Sequence, residues 1–157
     1  MSQDSHSCPL CSYVDQEESS AGRVMDTEYW IAGPNPGVAS PGALFLQTRV
    51  HRDSMSELTE AELATLGPVL AALQIAMKAG VDAEKVYVAA FGENFSHVHF
   101  LLIPRLTSHT GPKGPGLVKM CLDPSTPRDP EQVLKAARSI KTALGGYHGP
   151  DAPLVGH

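Results

Sequence analysis

Three features of the chain predict an antiparallel α+β fold. Short apolar segments both precede and follow one long capped helix, the last two of them are joined by a short link, and a second helix with a single apolar stripe ends the chain. With 157 residues and ordinary apolar content, the chain reads as a single domain (1–157) with a hydrophobic core of its own.

Residues 1–7 are polar and expected to fray. The pair Cys8-Pro9-Leu10-Cys11 is expected on a turn, because a polar stretch follows it. A first strand is expected over residues 24–32, ended by Gly33-Pro34-Asn35-Pro36-Gly37. A second is expected over 43–48, running toward His51. Thr59 and Glu62 form a capping box for a helix whose stripe is Leu63, Leu66, Leu70, Leu73 and Met77. Gly80 is expected to close that helix, and Pro68 to kink it near Ala64. The third and fourth strands are expected over 85–91 and 97–103, the fourth stopped by Pro104. Residues 107–116 and 123–128 read as loops. Asp129, Pro130 and the stripe Val133, Ala137, Ile140, Leu144 mark the last helix, closed by Gly145-Gly146.

Composition narrows the function classes. A net charge of -5 without clustered Lys or Arg argues against nucleic acid as a partner. The sequence shows no apolar run expected to span a bilayer and no signal peptide, so no membrane partner is expected. Three cysteines, two of them in a C-x-x-C, make no disulfide framework; a cytoplasmic location and metal or redox chemistry at the pair are expected.

The segment Ser96-His97-Val98-His99-Phe100-Leu101 alternates imidazoles with apolar residues. In a strand, His97, His99 and Leu101 share one face, with the two imidazoles roughly 6–7 Å apart along it. That is too far for a direct hydrogen bond and suits two separate tasks. Cys8, Cys11, His51 and His97 make a Cys2His2 set, in which two thiolates neutralise Zn2+. Four protein ligands leave no open position, so such a zinc is structural. A thioredoxin-type use of the pair is disfavoured, because that motif opens a helix and residues 12–22 read as a polar loop. Cys121 reads as a small buried apolar residue, and His6, His109, His148 and His157 as incidental.

Taken together, Cys8-Pro-Leu-Cys11, Pro41-Gly42 leading to Arg49-Val50-His51, the capped helix and His97-Val-His99-Phe-Leu101-Leu-Ile-Pro-Arg105 resemble the histidine triad (HIT) superfamily of nucleotide hydrolases and transferases, over about residues 8–105. The tail, 106–157, lies outside the resemblance. The resemblance implies an antiparallel sheet of about five strands, one long helix packed on it and a C-terminal helix. It implies structural zinc on Cys8, Cys11, His51 and His97, and His99 as the nucleophile that attacks an α-phosphate to form a nucleotidyl-histidine. It also implies a small-molecule substrate, a nucleotide or another phosphate ester, and a homodimer.

The same comparison locates departures. Leu101 stands where the third motif histidine belongs, and Glu93-Asn94 follow Gly92 where the family has Gln and a small residue. Val86 aligns with an asparagine that binds phosphate, and Asn35 with the acidic residue that holds the ribose. Asn94, Arg105 and Asn35 are therefore the candidate substrate-binding residues, with Lys113 a further possible donor from the tail.

Overall fold

The computed structural model describes residues 8–17, 22–147 and 149; residues 1–7, His148 and His157 lie outside them, as does His6. Five strands form one antiparallel sheet in the order β1-β2-β3-β5-β4. They are β1 (Met25–Asp26), β2 (Trp30–Pro34), β3 (Leu44–Thr48), β4 (Ala83–Ala89) and β5 (His99–Leu106). The helices are α1 (Pro9–Val14), α2 (Glu60–Val81), α3 (Pro115–Leu122) and α4 (Pro130–Leu144).

The two faces of the sheet have different cores. Leu44, Leu46, Phe100 and Leu102 pack with Val69, Leu73 and Met77 of α2 and Ile140 of α4. The alternate residues Ala43 and Ile103 pack with Leu117 and Cys121 of α3. Cys121 is accordingly a buried small side chain, as expected. The apolar burial on the α2 side is the main stabilising term for the sheet.

The expected first strand is a hairpin instead: β1 pairs with β2 through Met25–Ala32 and Asp26–Ile31. Thr27 makes the turn with its own hydroxyl, accepting from the Trp30 amide, so neither glycine nor proline marks it. β2 continues through Gly33-Pro34, contrary to the expected break. Gly33 is needed there for close approach, since a Cβ would lie 2.3 Å from the Tyr13 hydroxyl oxygen. β5 likewise runs through Pro104. Its β3 neighbour ends at Leu44–Leu102, so Pro104 has no ladder bond to lose on that side.

The capping box at Thr59 and Glu62 is formed in both directions. The buried side of α2 is Glu62, Val69, Ala72, Leu73, Ala76 and Met77, whereas Leu63 is exposed. A helix apolar almost all round offers several stripes, and the inward turn of Glu62 selects among them. By length and composition alone α2, with 22 residues and a mean hydropathy of 1.4 over an 18-residue window, is apolar enough to cross a membrane, a run that escapes the sequence reading; here its Val69, Leu73 and Met77 pack in the core. The helix continues through Pro68, which is exposed. It closes at Asp82 (φ 56°) and not at Gly80. Gly80 is where α4 crosses: a Cβ would sit 2.8 Å from the Ser139 carbonyl oxygen.

Two helices are additional to the expectation. Cys8 caps α1 with Pro9 at its first position, so the C-x-x-C lies on a short helix and not on a bare turn. α3 follows Gly114, in a stretch that reads as loop up to residue 116.

Candidate metal centre and the His99 cavity

Three imidazoles meet where β3 leaves the sheet and β5 enters it, and each has its tautomer fixed by an oxygen that only accepts. His97 Nε2 donates to the Thr48 carbonyl at 2.8 Å. His51 Nε2 donates to Asp53 Oδ1 at 3.0 Å, and Asp53 is held in turn by the Ser96 hydroxyl at 2.9 Å. Both rings therefore turn an Nδ1 lone pair inward.

Those lone pairs face the cysteines. His97 Nδ1 lies 3.6 Å from Cys8 Sγ and 3.4 Å from Cys11 Sγ, and His51 Nδ1 lies 3.2 Å from Cys11 Sγ. A tetrahedral zinc with Zn–S of about 2.3 Å and Zn–N of about 2.0 Å puts sulfur and nitrogen about 3.5 Å apart. All four donor atoms lie within 4.8 Å of one another, so the set fits such an ion in both chemistry and spacing. Without a cation the arrangement is electrostatically poor: burial, then the neighbouring Cys8, pushes the Cys11 thiol up to about 11. Burial above all lowers the His97 pKa, which keeps the ring neutral as a ligand must be. The Ser96 hydroxyl, then His51, holds the Asp53 carboxyl below its usual value.

α1 is held over the sheet by more than the cysteines. Arg23, itself buried, donates to the Tyr13 and Gln16 carbonyls at 2.9 and 3.1 Å and so closes the C-terminal end of α1. Asp26 anchors that guanidinium at 2.6 Å and also pairs with Arg49.

His99 is turned differently. Its Nδ1 donates to the His97 carbonyl at 2.6 Å, leaving the lone pair on Nε2. The ring lines a cavity of about 260 Å3 with Met55, Phe91, Ser96 and Phe100. Asp53 is the one charged group among the described residues lining it; no Lys or Arg does so.

The remaining candidates are dispersed. Asn94 is exposed in the link between β4 and β5, a link whose Gly92 and Ser96 line the cavity. Arg105 lies six residues along β5 from His99, roughly 20 Å by strand rise, and its guanidinium is engaged by Glu84 at 2.6 Å. Asn35 follows β2, where its Oδ1 accepts from the Gly37 amide at 3.0 Å; it lies four residues, roughly 13 Å, beyond the line of Ile31, Gln47 and His99. Lys113 precedes Gly114 at the start of α3, at the Arg105 end of the sheet. Val86 faces the α2 core, so it does not look toward His99. On the His99 face of β4, Ala89 is the residue opposite Leu101. Asp53 and Ser96 escaped the sequence reading, although Asp53 two residues after His51 and Ser96 beside His97 are the places from which an orienting partner can reach.

Neither a protein-family model nor a curated relative matches the sequence. Solved structures do. A zinc-bound histidine triad family protein from Mycobacterium smegmatis matches at TM-score 0.68 and 19% identity, over 90% of this chain and 96% of its own. A hypothetical histidine triad nucleotide-binding protein from Sulfolobus tokodaii matches at 0.68 and 18%, over 88% and 92%. A uridylyltransferase matches at 0.64 and 21%, over 89% of this chain and 46% of its own. A common arrangement at such low identity is a statement about architecture: the chain has the histidine triad fold.

Proposed function

We propose that the chain is a nucleotide phosphohydrolase or nucleotidyltransferase in which His99 Nε2 attacks an α-phosphate. The observation that carries this reading is the hydrogen bond from His99 Nδ1 to the His97 carbonyl, which leaves a nucleophilic lone pair on a ring lining a cavity. The neighbours described as nucleotide-binding and as a uridylyltransferase support a nucleotide as substrate.

In the first step the Nε2 lone pair forms the P–N bond. The bond from phosphorus to the leaving oxygen breaks, and its electron pair departs on that oxygen. The proton stays on Nδ1, hydrogen-bonded to the His97 carbonyl, which stabilises the positive ring. Water, or a second acceptor hydroxyl, then forms a new P–O bond and releases its proton to solvent as the P–N pair returns to Nε2. Cys8, Cys11, His51 and His97 would hold zinc, which supplies a crosslink and charge neutralisation at the thiolates. The ring of His99 is thereby held in a reactive orientation.

Charge on the phosphate needs donors, and this cleft has few. Leu101 donates nothing, Glu93 is acidic, the Ser96 hydroxyl is committed to Asp53, and the Ser54 hydroxyl, Asn94 and backbone amides remain. Losing one good donor commonly costs about 3 kcal/mol, roughly a hundredfold in rate. The expected enzyme is slow.

Incubation with labelled nucleotides tests the reading. An acid-labile adduct on His99 with turnover, both lost in His99→Ala, is expected. Turnover with no adduct instead supports a second reading, a HIT-fold enzyme of non-nucleotide chemistry with His99 as general base. The cation-free lining and Leu101 favour that reading. Ligand binding with neither adduct nor turnover supports a third, a zinc-stabilised binding module. A twofold homodimer is part of the proposal; β4 is an edge strand with Val88 exposed, and sedimentation measures the mass.

A further inference from the structure

Gln47 is the fourth of the five residues of β3, fully buried, between Leu46 and Thr48. A buried amide is stabilising only when its polar atoms are bonded. Here one half is: Nε2 donates at 2.7 Å to the carbonyl of Leu10, which sits between the two cysteines. The other half is not, because Oε1 has no partner among the described residues. An apolar side chain of the same size would fill this place without leaving an orphaned acceptor. The amide therefore makes better sense as a geometrical device than as a source of stability.

Its position supports that. Gln47 stands directly opposite His99 in the β3–β5 register, and cross-strand partners have Cβ atoms about 5 Å apart on one face. The next residue, Thr48, supplies the carbonyl that orients His97. Two consecutive residues of β3 thus hold the first turn of α1 with a side chain and a candidate metal-ligand histidine with a carbonyl, and the first of them flanks the reactive ring.

We propose that Gln47 is a positioning residue, which sets the height of the Cys8–Cys11 segment at the start of α1 over the sheet and through it the orientation of His99. This rests on reading His99 as the reacting group, and it adds a mechanical link between the metal centre and that group.

The test uses the zinc-loaded full chain. Gln47→Met keeps length and volume but removes the donor. Gln47→Glu is nearly isosteric and sets a carboxylate against the Leu10 carbonyl. Far-UV circular dichroism checks that each folds, and either one suffices. Two rates are read: zinc transfer to a colorimetric chelator, and modification of His99 by diethyl pyrocarbonate, resolved by fragment mass spectrometry with His109 as internal control. Zinc transfer is expected to quicken and His99 modification to shift by about threefold or more, with His109 unchanged. Faster zinc transfer with unaltered His99 modification makes Gln47 a clasp for α1 alone and overturns the proposal. No change in either rate overturns it as well. A missing nucleotidyl adduct in the parent, alongside a shifted His99 rate, would instead count against the nucleophile reading and leave the positioning role standing.

Discussion

The two ends of the site, two residues apart where the chain enters β5, are built to different standards. At the metal end each of His51 and His97 has its distal nitrogen tied to an acceptor, and Asp53 is tied again by Ser96. At the cleft end His99 has its tautomer fixed, but the groups that would receive a phosphate are thin: Leu101 is apolar, Asn94 exposed, and Arg105 engaged far along the strand. The difference separates two properties that a single motif suggests together. A metal crosslink stabilises the fold whatever the chemistry, so its residues can be retained complete while those for transition-state charge are not.

The largest expected effect follows from breaking the metal end. Chelation, or Cys11→Ser, removes a crosslink between α1 and the sheet and leaves buried donors without a cation. Stoichiometric zinc should be lost, and the melting temperature should fall by about 10 °C, corresponding to a few kcal/mol in a chain of this size. Elemental analysis and calorimetry measure both. A metal-free preparation that melts at the same temperature would remove the asymmetry between the two ends.

Repairing the cleft end is the complementary experiment. Leu101→His restores a donor on the His99 face, and the register pairs that position with Ala89. Leu101→His with Ala89→Asn should raise nucleotide hydrolysis about a hundredfold if donor supply is what limits it. Val86→Asn, the choice that motif counting suggests, puts an amide among the α2-side core residues and should destabilise the chain instead. An unchanged rate in the double variant would move the weight to non-nucleotide chemistry.

These cases show what was legible in the sequence. The set Cys8, Cys11, His51 and His97 is legible from residue types together with the family resemblance, and the fold brings all four together. The sheet, the long helix and the last helix were read from period and caps. Parity across a loop was not: counting back from His99 reaches Val86, but the link 90–98 decides which face that residue takes. α3 was hidden by its Gly-Pro-Gly start, although Leu117, Met120 and Cys121 already recur at helical steps. α1 was hidden because Cys8 caps it, with no hydrogen bond from its side chain, where a hydroxyl or carboxamide is the usual sign. The distant placements of Arg105 and Asn35 depend on strand lengths that no local pattern fixes.

A smaller effect sharpens the metal end. Asp53→Asn keeps the size of the side chain but weakens its hold on His51 Nε2 and on the Ser96 hydroxyl. Zinc affinity should fall about tenfold, the low end for a partner of a ligand, with little change in the fold. Chelator competition measures it. An affinity equal to the parent's would show that the Thr48 carbonyl and the thiolates suffice to set the geometry.

The smallest effect lies between the two ends. The Arg52 carbonyl accepts from the Val98 amide, between the two motif histidines, while its Nε reaches Glu62 Oε2 at 3.2 Å. Glu62 is buried, and burial alone would raise its pKa. The Thr59 backbone and hydroxyl bonds, with Arg52, overcome this and leave it below the ordinary value. A carboxyl with a depressed folded pKa contributes stability that is fully present above its unfolded value of about 4.3. That contribution is lost as pH falls through the folded value. Glu62→Gln should therefore cost about 1 kcal/mol at neutral pH, a few degrees in melting temperature, and progressively less on acidification. Melting curves of parent and variant should converge in acid. A constant gap across the whole range would assign the loss to packing of the amide, and would leave the charge of Glu62 without a part in holding the loop that carries His51.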